Sequence, residues 1–121
     1  DVSSGTYIRA LARDLGSKLE VGGHLTALRR TRVGRFTIAQ ARTLEECEVD
    51  LGLVPLAAAV ASTFARRELT AEEARDLSFG RAVAASEAEG VVGAFGPDGQ
   101  CVALVENREG LAKAVVVFTP A

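Results

Sequence analysis

Histidine occurs once in this chain, as His24, and cysteine twice, as Cys47 and Cys101. One histidine excludes a His-rich metal cluster. The two distant cysteines match neither a metal-ligand spacing nor a disulfide framework. Both are expected to be small, buried or half-buried residues in a reducing cytosol. No apolar run approaches the roughly 20 residues that a membrane-spanning helix requires. Asp1-Val2-Ser3-Ser4 has neither the basic start nor the apolar stretch of a secretory signal. Methionine is absent altogether, and Asp1-Val2-Ser3 reads as the end of a strand already in progress. The sequence is therefore expected to be a piece of a longer chain. Ser3 and Ser4 lack a Ser-His-Asp or Ser-x-x-Lys setting, so no nucleophile stands out. Gly22-Gly23 lacks the Gly-Lys-Ser/Thr ending of a phosphate loop.

What is present is ordinary for a globular protein: 121 residues, 48% hydrophobic and 25% charged. That length suits one compact domain or two very small ones. The net charge of −2 hides an asymmetry. Residues 1–36 hold seven basic and three acidic residues, whereas the remainder holds seven basic and thirteen acidic ones. A polyanion-binding surface is therefore expected in the N-terminal third.

Ile8, Leu11, Ala12, Leu15 and Leu19 form a helical stripe, which predicts a helix over Thr6–Leu19 with Ser4 as its N-cap. Gly22-Gly23 ends it. His24–Phe36 reads as a long strand with Arg30 and Arg32 on one face around Leu28, and Gly34 marks a bulge or a close backbone approach. Thr43-x-x-Glu46 and Thr70-x-x-Glu73 are capping boxes that each predict a helix, the second running to about Phe79 and stopped by Gly80. Between them, residues 49–64 suggest a loop and a short buried helix. Three strands are predicted at Val91–Phe95, Gln100–Glu106 and Lys113–Phe118, the first two joined by a tight turn at Gly96-Pro97-Asp98-Gly99. Asp14 next to Arg13 reads as a solvent-facing ion pair.

Chemistry concentrates at the first helix and the basic segment after it. Helix N-termini favour anions, arginines grip phosphate bidentately, and the lone tyrosine, Tyr7, offers a ring on which an unpaired base can stack. The run Ser3-Ser4-Gly5-Thr6-Tyr7-Ile8-Arg9-Ala10-Leu11-Ala12-Arg13-Asp14-Leu15-Gly16, with Gly22-Gly23-His24-Leu25 and Leu28-Arg29-Arg30-Thr31-Arg32-Val33-Gly34, closely resembles the bacterial tRNA pseudouridine synthase B family. Leu69-Thr70-Ala71-Glu72-Glu73-Ala74 through Gly80-Arg81 looks like the start of that family's small PUA-like domain. The resemblance implies a cytoplasmic isomerase that converts the T-loop uridine of tRNA to pseudouridine without cofactor or metal, after flipping the base out of the loop. It implies catalytic-site roles for Arg9, Tyr7 and Leu28. Arg9 would pair with the catalytic aspartate, Leu28 would line the base pocket and Tyr7 would shape it. It also implies RNA contacts by Ser4, Lys18, Arg29, Arg30 and Arg32.

The expected fold is α+β. Residues 1–64 would be the trailing part of a mixed-sheet catalytic core, and 65–121 a PUA-like β-barrel module. The family's Gly-x-x-Asp-Pro-type aspartate motif does not occur in this sequence. The chain is therefore expected to lack the N-terminal half of the enzyme and to be inactive alone, with its first part short of core partners. Two other readings stay open. One is a non-catalytic RNA-binding module, and the other is a piece of a guide-RNA-dependent pseudouridine synthase.

Overall fold

A computed structural model describes residues 1–121 as two compact units, Asp1–Val33 and Gly34–Ala121. In the first, helix α1 spans Ile8–Lys18. The helix starts later than its apolar stripe suggests, because a turn precedes it. The Thr6 N–H donates to the Ser3 carbonyl at 3.3 Å, with Gly5 at φ +82° between them. Ser4 is used up inside that turn, so it is not the N-cap. Tyr7 takes that position without a capping side-chain bond.

α1 ends in a Schellman motif. The Val21 N–H donates to the Gly16 carbonyl and the Glu20 N–H to the Ser17 carbonyl, at 3.1 and 3.2 Å. Glu20 occupies the left-handed position at φ +58°, where glycine is usual. The chain then doubles back so tightly that a Cβ on Gly16 would fall on the Gly22 carbonyl and the Gly23 nitrogen. Gly16 is the one buried residue of this unit.

The long strand expected over His24–Phe36 does not form. Only Arg32–Val33 (β1) and Phe36–Thr37 (β2) are extended, two residues each, around a turn at Gly34, φ +55°. Gly34 is thus neither a bulge nor a close approach, since a Cβ there would meet nothing. A period of two describes which way side chains point, but a strand also needs a neighbour to take its backbone hydrogen bonds. Residues 24–31 have no such neighbour in this chain.

The second unit is built from local signals that hold. Thr43 and Glu46 cap α2 (Leu44–Val49) reciprocally at 3.2 and 2.8 Å. Pro55 precedes α3 (Leu56–Thr63), of which only Val60 is buried. After β3 (Ala65–Glu68), Thr70 and Glu73 cap α4 (Ala71–Ser78) at 3.2 and 2.9 Å. There follow β4 (Val83–Ala84), β5 (Val91–Phe95), β6 (Cys101–Arg108) and β7 (Leu111–Val117).

One mixed sheet results, in the order β3-β5-β6-β7-β4. β3 runs parallel to β5, and the other pairs are antiparallel. Its α4 side is packed by Leu69, Leu77, Val92, Ala94, Val105 and Ala112. Val60 of α3, Phe95 and Cys101 form a second cluster. Asn107 ties the irregular loop after β4 to the sheet. Its Nδ2 donates to the Ser86 and Ala88 carbonyls at 2.6 and 2.9 Å, and its Oδ1 accepts from the Ser86 N–H at 3.2 Å. The α+β fold expected from sequence is the one observed. No helix is long and apolar enough to cross a membrane.

Candidate nucleic-acid interface

The N-terminal unit carries six basic and three acidic residues, and all of them are exposed. Arg9 stands in the first turn of α1, exposed and joined to no carboxylate of this chain. Its neighbour Arg13 is engaged, with Nη2 2.8 Å from Asp14 Oδ1. That bond and the carboxylate charge push the Arg13 pKa above its ordinary value, so Arg13 and Asp14 form the solvent-facing pair the sequence suggests.

Tyr7 is 74% exposed and Leu28 65% exposed. No hydrogen bond or ion pair joins Tyr7, Arg9 and Leu28, and Tyr7 and Arg9 are two positions apart, a spacing that points them to different sides of the helix start. Arg29 and Arg30 are exposed without a carboxylate partner. Arg32 reaches Asp1 at 3.3 Å across open surface. Lys18 is exposed in the last turn of α1, where a cation suits the helix dipole. Ser4 is exposed in the entry turn. The surface is thus a set of mostly uncommitted cations and apolar side chains left open to solvent.

The C-terminal unit holds further titratable groups, of which the Arg67–Glu73 pair is the one with no signal in local sequence. Arg67 of β3 is nine-tenths buried, and its Nη2 donates to Glu73 Oε1 at 2.9 Å. The Thr70 backbone N–H and, after it, Arg67 hold the Glu73 carboxyl below the usual carboxylate range, against the opposing effect of burial. Glu73 serves both a capping box and an arginine six residues earlier, a pairing that only the β3–α4 packing creates. Cys101 is buried and free, and burial pushes its thiol up, away from the reactive thiolate. Cys47 is half-buried and free.

At the end of α4, Phe79 is 56% exposed, and the Arg81 guanidinium carbon lies 5.5 Å from its ring centroid. Arg81 is steered by Asp76 at 3.1 Å. Beside α4 runs an open groove of about 500 Å³, bordered by Arg75, Ser78, Asp98, Gln100 and Thr119.

Comparison with known proteins agrees along nearly the whole length. Residues 64–119 match the family described as tRNA pseudouridine synthase II, C terminal. Residues 9–54 match the tRNA pseudouridylate synthase B C-terminal domain. A protein named tRNA pseudouridine synthase B from Thermobifida fusca is 57% identical, over 96% of this chain and 40% of its own length. Proteins of the same name from Arthrobacter sp. and Mycolicibacterium paratuberculosis are 49% and 52% identical, each covered over 42% of its length. The chain thus spans about two fifths of the curated relatives it matches. Among solved structures, an H/ACA RNP bound to a substrate RNA containing 2′-deoxyuridine superposes with TM-score 0.70 over 97% of this chain and 48% of its own. At 23% identity that likeness is one of fold. On these grounds the chain belongs to the tRNA pseudouridine synthase B family and corresponds to the C-terminal part of its members.

Proposed function

We propose that this chain is the C-terminal part of a cytoplasmic isomerase that converts the T-loop uridine of tRNA to pseudouridine. In that reaction the bond between ribose C1′ and uracil N1 breaks and a bond from C1′ to C5 forms. C5 gives up its proton and N1 gains one. Residues 1–64 then complete the catalytic core, and residues 65–121 form the PUA-like domain.

Arg9 carries this reading. It is exposed and unpaired at the head of α1, while Arg13, one turn later, has its carboxylate. A guanidinium held open in this way suits a carboxylate supplied from outside this chain. A fixed arginine keeps such a group ionised, which an acid-base or nucleophilic aspartate requires. Leu28 offers an apolar surface to an unstacked uracil, and Tyr7 borders it. Arg29, Arg30, Arg32 and Lys18, with the Ser4 hydroxyl, supply contacts to the RNA backbone.

The test joins this chain to the N-terminal three fifths of the Thermobifida fusca relative. It then follows release of the C5 hydrogen from labelled tRNA. The joined protein turns over and the present chain alone does not. Arg9→Ala lowers kcat by about 100-fold or more, equivalent to roughly 3 kcal/mol of transition-state stabilisation, and Arg9→Lys recovers part of it. Undiminished turnover by Arg9→Ala would remove Arg9 from the site.

A further inference from the structure

The peptide between Gly22 and Gly23 lies directly on α1, with no side chain in between. A Cβ on Gly16 would fall on the Gly22 carbonyl and the Gly23 nitrogen, and a Cβ on Gly23 would come 2.6 Å from the Ala12 carbonyl oxygen. The Val21 and Gly22 N–H groups both donate to the Gly16 carbonyl at 3.1 Å. Gly16 is inside the helix, so its backbone conformation does not call for glycine. Glycine weakens a helix interior. What requires it here is room for a second backbone.

This contact is where the chain leaves α1. The segment that follows, residues 24–31, forms no helix and no strand. It carries Leu28, Arg29 and Arg30, and directly after it Arg32 meets Asp1 at 3.3 Å. The segment therefore returns from the C-terminal end of α1 to the start of the chain. Arg9 lies seven residues before Gly16, about 10 Å along the helix axis. Leu28 lies five residues beyond Gly23, a reach of at most about 18 Å. Where Leu28 falls relative to Arg9 thus depends on where the return is pinned. A slip of one residue moves an extended chain by about 3.3 Å and turns each side chain to the opposite side.

We propose that Gly16 is a positioning residue for the isomerisation. By leaving room for the Gly22–Gly23 peptide, it fixes the point from which residues 24–30 run, and so sets Leu28 against the Arg9 end of α1. This deepens the pseudouridine synthase reading above and rests on it. Gly16 touches no substrate and acts through Leu28. A misplacement of about 1 Å at a reacting centre can cost about 100-fold in rate, so a shift of one residue is far outside what the chemistry tolerates.

The experiment uses the joined protein in excess over labelled tRNA and reads the rate constant and the amplitude of a single turnover. Thermal melting checks the fold of each variant. Gly16→Ala lowers the rate constant by about tenfold or more at full amplitude. A purely structural loss would lower the amplitude instead, because the molecules still folded would react at the parent rate. One glycine inserted between Gly23 and His24 leaves the contact on Gly16 whole and shifts Leu28 by one residue. It lowers the rate constant in the same way. One glycine inserted between Gly34 and Arg35, in the exposed turn after β1, leaves the rate constant at the parent value. A parent rate constant in Gly16→Ala overturns the positioning role, and so does a loss confined to amplitude. A parent rate constant after the first insertion also overturns it, by showing that the register is set elsewhere, as do equal losses from both insertions. Should Gly16→Ala fail to fold, the two insertions decide. If the joined parent turns over and the variants match it, the positioning role falls and the proposed function stands. An inactive joined parent removes both.

Discussion

Leu15 and Leu77 sit on similar amphipathic helices, each preceded by an Arg-Asp pair and each on the apolar stripe. Leu15 of α1 is 57% exposed, and Leu77 of α4 is fully buried. The same contrast separates the first unit from the sheet of the second, while residues 44–56 of the second unit resemble the first, with Leu44, Val49, Leu51 and Leu53 all well over half exposed. In Asp1–Val33, Leu11, Leu19, Val21 and Leu28 are also more than half exposed. In Gly34–Ala121, the sheet gives Leu77, Phe95 and Val105 complete cover. An apolar stripe states that a helix has a face to bury, and the rest of the fold decides whether it is buried. The polar residues divide in the same way. Arg67 of the second unit is nine-tenths buried and paired, whereas Arg9 of the first is exposed and unpaired.

Truncating the two leucines breaks this comparison most sharply. Leu77→Ala removes a fully buried side chain and is expected to cost roughly 2–5 kcal/mol. That is a large fraction of a small domain's stability, so its urea transition should move to clearly lower denaturant. Leu15→Ala is a surface change, expected to stay within about 0.5 kcal/mol. Chemical denaturation followed by circular dichroism checks both. Comparable losses from the two variants would mean that α1 is buried against something in solution.

Gly16→Ala tests whether the first unit has tertiary structure of its own. Helix propensity alone makes alanine better by about 1 kcal/mol in mid-helix. Packing says the reverse, because the added Cβ meets the backbone of Gly22 and Gly23. Overpacking of this kind typically costs about 1–3 kcal/mol, and here the clash is with backbone that has no rotamer to change. The expected outcome is a net loss of α1 helicity. A gain would show that the turn back over Gly16 is not held.

These contrasts track what the sequence makes legible. The capping boxes at Thr43 and Thr70 and the turn at Gly96–Gly99 are decided within four residues, and they appear where the sequence places them. So do the strands of the hairpins, which pair with their chain neighbours. The sequence carries no local signal for β3. Ala65-Arg66-Arg67-Glu68 has no strand alternation, and it becomes a strand only by lying parallel to β5, a partner more than twenty residues away. The opposite holds at 24–31, where alternation is present and a ladder partner is not. At the candidate site, Arg9, Arg29 and Arg30 were legible as exposed cations. The Arg67–Glu73 pair and the Phe79–Arg81 contact were not, because both depend on how α4 is placed.

The Glu73 pair gives the second unit a pH dependence. The folded pKa of Glu73 is depressed, mainly by the Thr70 N–H and then by Arg67. Its stabilising contribution is therefore complete above the ordinary glutamate value near 4.3 and is lost as pH falls through the lower, folded value. Melting of the chain between about pH 6 and pH 3 should show a decline that Glu73→Gln makes shallower. The variant should also melt about 1 kcal/mol less stable at neutral pH, having given up a charge-assisted bond. An unchanged acid slope would assign the decline to other carboxylates, such as the exposed Asp50, which is also held low by the Gly52 N–H and Arg42.

The smallest expected effect returns to the end of α1. Glu20 sits at φ +58° in a position where both hydrogen bonds of the Schellman motif are made. A left-handed conformation costs a residue with a Cβ roughly 1–2 kcal/mol, and glycine avoids that cost. Glycine also gives the unfolded chain more freedom to lose, which takes back part of the gain. Removing a carboxylate from the negative end of the helix dipole works in favour of the change. Glu20→Gly is therefore expected to stabilise α1 by about 0.5–1 kcal/mol, visible as slower amide exchange in its last turn. Glu109, at φ +56° in the turn between β6 and β7, is the matching site in the other unit. There Glu109→Gly forfeits an exposed ion pair with Lys113 at 2.6 Å, a pair of a kind worth little. The two substitutions relieve the same backbone strain, one in a hairpin whose strands belong to a packed sheet and one at the end of an exposed helix. Equal gains in local exchange would show that the Schellman turn is as well defined as the hairpin. A gain at Glu109 alone would show that α1 already frays there, so that no fixed left-handed residue remains to be relieved.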